Sequence, residues 1–524
     1  MLADACTDSK TADIDQLEAQ KRLLDDEDES AVRSLFLESA LLPILEAALR
    51  SGSILEMAKE FELYSVFLNL IQTFARKKSL LSLINDIGPE YEPQQRDSIF
   101  KLLKKAAEMS RVFQDCLQLT PQNSDGLGAE KGDQDDPKKL SEKFIVVHDF
   151  VSEILEQQNI QEESKTLEQI LSMPLPKAFF ELCSSFRLKK VSLRPPNNPS
   201  GSYQHHYASN EAGSQIPSSK KLIRLAQELA DLTESLPCEL SNAVFSIVDK
   251  QRVDFMKCVI MGSAGTPYAH GAFVYDIYFD DHYPDGPPKI NLSTTGGGAI
   301  RFNPNLYHCG KVCLSLLGTW RGTATENWNP KVSTLLQVIL SIQAIIMSNE
   351  VYFNEPGYEH LMGTEQGEKL NNGYANIVRY GNLKYAIIEQ IKNPTRGFED
   401  VIRRSFFLKK DQILAEVDDW IERAKTEEAN YTDGLTTSHN NEPAAMLGAS
   451  PTAYRDKMIE LRKELLAEFA KLTSPFSDDY PAESKDTKSE SKAAPEQEEV
   501  EEKPAPEEDL KSLAEKEKGQ LTED

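Results

Sequence analysis

Between residues 244 and 294 four short β-rich runs, VFSIVD, FMKCVIMG, AFVYDIYF and KINLST, follow one another with only turn residues between them. Parallel neighbours need a long crossover, usually a helix, whereas antiparallel neighbours are joined by short turns. The lack of helical sequence between the runs predicts an antiparallel meander of four strands. In the third run Phe273, Tyr275, Ile277 and Phe279 alternate with Val274, Asp276 and Tyr278, the period of a half-buried strand. KKLIRLAQELADLTESL ahead of the runs reads as an amphipathic helix. Helical patterns return at 331–349, near 372–392 and near 397–424. The expectation for residues 220–425 is an α+β core with a C-terminal helical extension.

Residues 31–120 carry leucine at helical spacing, with Gly52 dividing two helices and Pro43 either kinking the first or beginning a new one. This stretch reads as an all-α domain of short antiparallel helices, with an armadillo-like stack as one option. Residues 1–30 read as a loose acidic N-terminus, 121–175 as a linker and helix, and 176–219 as a flexible linker rich in Pro, Asn, Ser and Gly. Residues 426–472 read as a loop and an amphipathic helix striped by Met458, Leu461, Leu465, Phe469 and Leu472. Residues 473–524 read as an acidic disordered tail; from Asp478 onward seventeen acidic residues face seven lysines, with too little apolar surface to fold.

The net charge of −26 argues against a general nucleic-acid binder, which would carry a basic footprint. Seven cysteines without CxxC spacing form neither a disulfide framework nor a structural zinc site, and free thiols suit a reducing compartment. The first residues, MLADACTDSK, lack the blocks of a signal peptide, and no apolar run reaches the length of a membrane span. The expectation is a cytoplasmic or nuclear protein with no metal, no cofactor of its own and no membrane contact.

A cysteine in an apolar stretch is ordinarily a small buried hydrophobe, and that reading holds for Cys116, Cys183, Cys238 and Cys258. Cys313 differs. It lies in FNPNLYHCGKVCLSLL, with Asn305 eight residues before it, Gly310 three before it and Leu314 directly after. The run resembles the active-site signature of the ubiquitin-conjugating enzymes: His-Pro-Asn, a short loop, Gly, two residues, Cys, Leu. Four more segments resemble that family in the same order along the chain: IRLAQELADL (223–232), GSAGTPYAHGAFVYDIYF (262–279), YPDGPPKINL (283–292) and Trp328-Asn329-Pro330. Through TTGGGAIRFNPNLYHCGKVCLSLLGTW and VYFNEPGYE the likeness is nearest to the large conjugating enzymes of the apollon (BRUCE) type. It covers about 220–425. The clustered Cys/His set of that group's zinc-bound BIR module is absent from this sequence.

The resemblance implies a ubiquitin-conjugating fold, with an N-terminal helix, a four-stranded antiparallel meander and C-terminal helices, preceded here by the all-α region. It implies that Cys313 holds ubiquitin as a thioester, an activated acyl group, received from an activating enzyme that spends the ATP and passed to a substrate lysine. The chain would act with or without a separate ligase, or as a combined conjugating enzyme and ligase. Asn305 matches the asparagine that stabilises the oxyanion, its loop, or both. Lys221 and Arg224 match the surface that meets the activating enzyme, and Phe279 and Pro330 match two loops gripped by ligases. The expected partners are ubiquitin, the activating enzyme and protein substrates.

Two departures stand out. Asn303 occupies the position of the family's histidine, and Trp328 follows Cys313 by fifteen residues, so that 318–327 should overhang the site. His308 and Cys309 lack a third orienting group for a hydrolase. Gly296-Gly297-Gly298 lacks the Lys-Ser/Thr of a phosphate loop and reads as a hairpin tip. The competing interpretation is a catalytically silent variant of the fold that binds ubiquitin or acts as a scaffold.

Overall fold

The computed structural model describes residues 26–50, 54–85, 97–118, 135–157, 166–195, 203–212, 218–323, 325–429, 451–472 and 474–476. The expectations for residues 1–25, for 430–450 and for 477–524 lie outside the described residues. The described residues up to Pro475 form one compact unit.

Among the described residues seven helices come first: α1 (Asp26–Glu38), α2 (Leu41–Arg50), α3 (Ile54–Lys59), α4 (Phe61–Ala75), α5 (Lys78–Asn85), α6 (Ile99–Gln118) and α7 (Asp135–Gln157). Pro43 lies in the first turn of α2, where its missing N–H is not needed, so it begins a helix and kinks none. Leu42, Leu45 and Leu49 of α2 are buried, as are Phe67, Leu68, Ile71 and Phe74 of α4. The long helices α6 and α7 pack on each other.

Residues 166–195 depart from the flexible linker expected over 176–219. They form α8 (Leu167–Leu171), α9 (Leu175–Cys183), a 3₁₀ turn at Ser184–Phe186 and strand β1 (Leu188–Val191). β1 pairs parallel with β2, so the sheet has five strands in the order β1-β2-β3-β4-β5 instead of the four expected. LKKV carries no strand signal of its own; the pairing is tertiary. The Asp249 carboxylate accepts from the Leu193 N–H at 2.8 Å, and Arg404 donates to the Leu182 carbonyl at 3.1 Å.

Helix α10 (Ser219–Ser235) precedes the antiparallel run β2 (Ala243–Asp249), β3 (Phe255–Met261), β4 (Ala272–Tyr278) and β5 (Lys289–Leu292). The meander thus follows the expected connectivity. Every residue of β4 is buried, however, whereas alternation predicted a half-buried strand. The inner face, with Phe273 and Tyr275, packs on the helices and on the Cys313 region: Phe273 meets Phe302 at 5.1 Å, and the Tyr275 hydroxyl lies 3.5 Å from the Met347 sulfur. The outer face is roofed by residues 203–212. Tyr203 stacks on Phe255 at 5.0 Å and Tyr207 on Tyr278 at 5.8 Å. Asp276, the polar residue of the alternation, is buried there with Lys257 beside it, and it accepts from Ser293 at 2.7 Å and from the His206 N–H at 3.0 Å. Burial pushes its carboxyl up, but Lys257 and His205 outweigh that and hold it below its ordinary value. Covering each large apolar side chain contributes about 1.5–3 kcal/mol.

After β5 come α11 (Leu335–Ser341), a π-helical turn (Ile342–Ile346), α12 (Glu365–Gly381), a π-helical stretch (Asn382–Ile388), α13 (Glu389–Lys392), α14 (Glu399–Leu408), α15 (Lys410–Ala429) and α16 (Pro451–Lys471). Asn382 donates to the carbonyls of Pro267 and Ala269 at 3.1 and 3.0 Å, fastening the β3–β4 hairpin to the C-terminal helices. A Cβ on Gly271 would stand 1.9 Å from the Asn382 oxygen, so glycine is required there.

Candidate active site

The segment 303–313 folds back on itself beside β5. Leu306 bridges Val312, the Tyr307 N–H donates to the Lys311 carbonyl at 3.0 Å, and the Cys313 N–H donates to the Asn305 carbonyl at 2.9 Å. Gly310 makes the reversal: its φ is +88°, and a Cβ would sit 2.5 Å from the Leu292 carbonyl oxygen. The eight-residue spacing from Asn305 to Cys313 is therefore the length of a hairpin that lays one residue across from the other.

Asn305 donates from Nδ2 to the Cys313 carbonyl at 2.9 Å. Its Oδ1 is buried and accepts no hydrogen bond from the described residues. Asn303, in the place of the family's histidine, is fully buried. Its Nδ2 donates to the Ile346 carbonyl at 2.9 Å and to the Tyr268 hydroxyl at 3.1 Å. Its Oδ1 accepts from the Asn305 N–H at 2.9 Å and from Asn354 Nδ2 at 3.3 Å. An amide thus satisfies both donors and its acceptor at this position, and it supplies no base.

Cys313 is 2% exposed, yet it does not lie among hydrocarbon alone. Burial raises its thiol above the ordinary value, while Lys311, a hydrogen bond from Tyr307 and the charge of Arg301 pull it back; Cys309 adds a small push upward. Cys183 and Cys258, buried as expected, are pushed up to about 12 by burial, and Cys238 to about 11. The side chain of Cys116 lies outside the described residues. Cys309 and His308 are exposed, and Gly296–Gly298 form a turn.

The insertion 318–327 begins as a brace. Thr319 Oγ1 donates to the Val312 carbonyl at 2.7 Å and accepts from the Leu314 N–H at 3.0 Å, on either side of Cys313. The far end is held where Trp328 donates to the Pro284 carbonyl at 2.8 Å.

The residues expected to meet partners are placed differently. Lys221 is 1% exposed; its ammonium lies 3.3 Å from Asp254 in the interior, so it belongs to no docking surface. Arg224 is half-buried and tied to Glu228 at 2.7 Å and to the Ser333 carbonyl. Glu228 also accepts from Tyr283 and from the Leu335 N–H, joining α10 to the start of α11. Phe279 is fully buried, its ring 4.7 Å from that of Tyr283. The exposed tip beside it is polar, Asp281 and His282, while Pro330 remains half-exposed and Val332 is 63% exposed. Phe279 fails as a contact residue because, just beyond the end of β4, its side chain is buried against Tyr283 and not presented to solvent.

Sequence reasoning passed over Tyr307, Arg301, Thr319 and Asn354, all of which border Cys313 or hold its loop. The first two lay within the longer quoted run TTGGGAIRFNPNLYHCGKVCLSLLGTW, and their aromatic and cationic character next to a nucleophile was the available signal. Among the described residues no group of His, Cys, Asp and Glu could hold a metal ion, and no helix is long and apolar enough to cross a membrane.

Residues 224–379 match the sequence profile of the family described as ubiquitin-conjugating enzyme. The human dual E2 ubiquitin-conjugating enzyme/E3 ubiquitin-protein ligase BIRC6 is 34% identical over 462 residues, which covers 82% of this chain and 9% of that protein; its mouse counterpart is 33% identical over 459 residues, with the same coverage. A Caenorhabditis elegans protein named "Probable ubiquitin-conjugating enzyme protein 17" is 40% identical over 254 residues, 48% of this chain and 34% of that one. This chain therefore spans about a tenth of the length of the mammalian relatives, and the likeness to them reaches into the helices on either side of the matched domain. Residues 224–379, with the Asn305–Cys313 hairpin within them, belong to the ubiquitin-conjugating enzyme family.

Proposed function

We propose that Cys313 accepts ubiquitin from an activating enzyme and passes it to the lysine of a protein substrate. In the first step the Cys313 thiolate attacks the carbonyl of the incoming thioester, a new C–S bond forms, and the activating enzyme's thiolate departs. In the second step a lysine amine attacks, the Cys313 sulfur leaves as thiolate, and the amine loses a proton. Each attack places negative charge on the carbonyl oxygen, and a nearby amide N–H stabilises it. The observation that carries this reading is the hairpin that sets Asn305 against Cys313 inside the matched family domain. Asn305 Nδ2 carries two N–H groups and spends one on the Cys313 carbonyl, so the second is the donor available to the oxyanion and one amide can fill both roles.

The chain itself would consume no ATP; the activating enzyme supplies the energy. The printed name of the mammalian relatives joins conjugation and ligation, and the helices flanking the domain are the candidate substrate-holding surfaces for such a combined activity. Free buried thiols fit a cytoplasmic or nuclear setting. A second reading, a silent ubiquitin-binding or scaffold variant, draws on the 2% exposure of Cys313.

The test is a mixture of chain, activating enzyme, ATP and ubiquitin, run with and without thiol reductant. The expected adduct is reductant-sensitive, absent in Cys313→Ala, and reductant-resistant in Cys313→Ser. No adduct under any condition favours the scaffold. Modification of a substrate in the same mixture without a separate ligase would establish the combined activity.

A further inference from the structure

Arg301 ties the 303–305 end of the Cys313 hairpin to Glu355. Its Nη2 donates to the Pro304 carbonyl at 2.7 Å, between Asn303 and Asn305, and lies 3.2 Å from the Glu355 carboxylate. The guanidinium stands 4.5 Å over the Tyr307 ring, and Lys311 Nζ stands 5.7 Å from the same ring. The backbone of Arg301 is fixed in turn, since Tyr374 of α12 donates to its carbonyl at 3.0 Å. A planar guanidinium can stack on an aromatic face and hydrogen-bond at its edge at once, which an ammonium cannot. Tyr307 is thus fixed by one cation and flanked by a second, beside the nucleophile.

We propose that Arg301 is a positioning residue for the thioester chemistry: it clamps the 303–307 turn to Glu355, seats Tyr307 beside Cys313, and with Lys311 lines the thiol's border with positive charge. This rests on the reading of Cys313 as the thioester-bearing residue. The groups that face the thiol are Tyr307, Lys311, Arg301 and Cys309, with Glu355 behind Arg301. Burial, the largest effect, and Cys309 oppose the thiolate; Lys311, the Tyr307 hydroxyl and Arg301 favour it. Removing Arg301 therefore moves the onset of thiolate chemistry to higher pH.

Two readouts on the full chain test this. The initial rate of reductant-sensitive adduct formation is followed from about pH 7 to 10.5, a range that extends above the ordinary thiol, the side to which burial moves Cys313. Iodoacetamide alkylation of Cys313, located by mass spectrometry in a Cys309→Ser background, is followed over the same range and needs no ubiquitin. In Arg301→Met both midpoints should rise by about half a unit to one unit, and rates near neutrality should fall about 3–10-fold. Arg301→Lys should recover the midpoint but not the full rate, because it keeps the charge and loses the fork. Glu355→Gln should slow the reaction without raising the midpoint, since the cation stays. Superimposable profiles for wild type and Arg301→Met, in a protein with an unchanged melting temperature, would overturn the proposal. If Arg301→Met unfolds, Glu355→Gln and Lys311→Met decide it: a raised midpoint in the first or an unmoved one in the second refutes the cationic border. Absence of adduct in the wild type would refute the thioester reading instead, and the alkylation profile would still judge Arg301.

Discussion

The Cys313 hairpin and helix α10 lie in the same domain, and both drew functional expectations from family resemblance, but the structure treats them in opposite ways. In the hairpin the short-range pattern is the geometry: Asn305 and Cys313 are joined by a backbone bond and by the Asn305 amide, and Gly310 makes the turn between them. In α10 the polar residues read as a docking face are turned to internal use. Lys221 pairs with Asp254, Arg224 with Glu228, and Glu234 lies 3.8 Å from Lys105 of α6. No residue from Lys221 to Glu234 is classed as exposed, because α6 packs along the helix from the other side. Residues that meet through their own loop can be trusted to a motif; a surface cannot, because a surface is whatever the rest of the chain leaves uncovered.

The sharpest way to break this contrast is Asn305→Ala. The expected loss is about 10²-fold in the discharge of a preformed thioester to free lysine, with a stability cost of only about 1 kcal/mol. A loss below about threefold would reduce Asn305 to a loop brace. Next comes Lys221→Met, which strips a buried carboxylate of one partner and should cost about 3 kcal/mol in denaturant unfolding. Its exposed neighbour Lys220, paired at 2.7 Å with Asp285, should cost no more than about 0.5 kcal/mol when changed to alanine. If Lys221→Met instead left stability untouched and slowed charging, the docking surface would be restored and the contrast lost. The smallest effect is expected of Thr319→Val, which removes two hydrogen bonds around Cys313 and should cost about 1 kcal/mol. It refines the contrast by showing whether the insertion merely braces the loop, in which case the charging rate of the folded protein stays unchanged.

The connectivity of the meander was legible because four runs without crossover helices leave few alternatives, and the nucleophile because its motif is dense and local. β1 was not legible: LKKV pairs with Leu188 opposite Ser246, and nothing in four residues announces that. Nor was the double burial of β4, since the Val274, Asp276, Tyr278 face looks solvent-bound until Tyr203 and Tyr207 arrive from a stretch that reads as linker. Lys221 failed for the same reason, since its burial partner, Asp254, comes from a distant segment. Asn303 was legible as a departure from the family's histidine, but the identity of its partners, Ile346, Tyr268 and Asn354, required the folded chain.

The aromatic roof over the sheet has a practical corollary for anyone who wishes to cut this protein down. A fragment beginning at residue 220 would lose Tyr203, His205, Tyr207 and β1, and would present Phe255 and Tyr278 to water as an adhesive patch. The smallest piece able to stay in solution should begin ahead of α9, well upstream of the first residue that sequence similarity to the family would select.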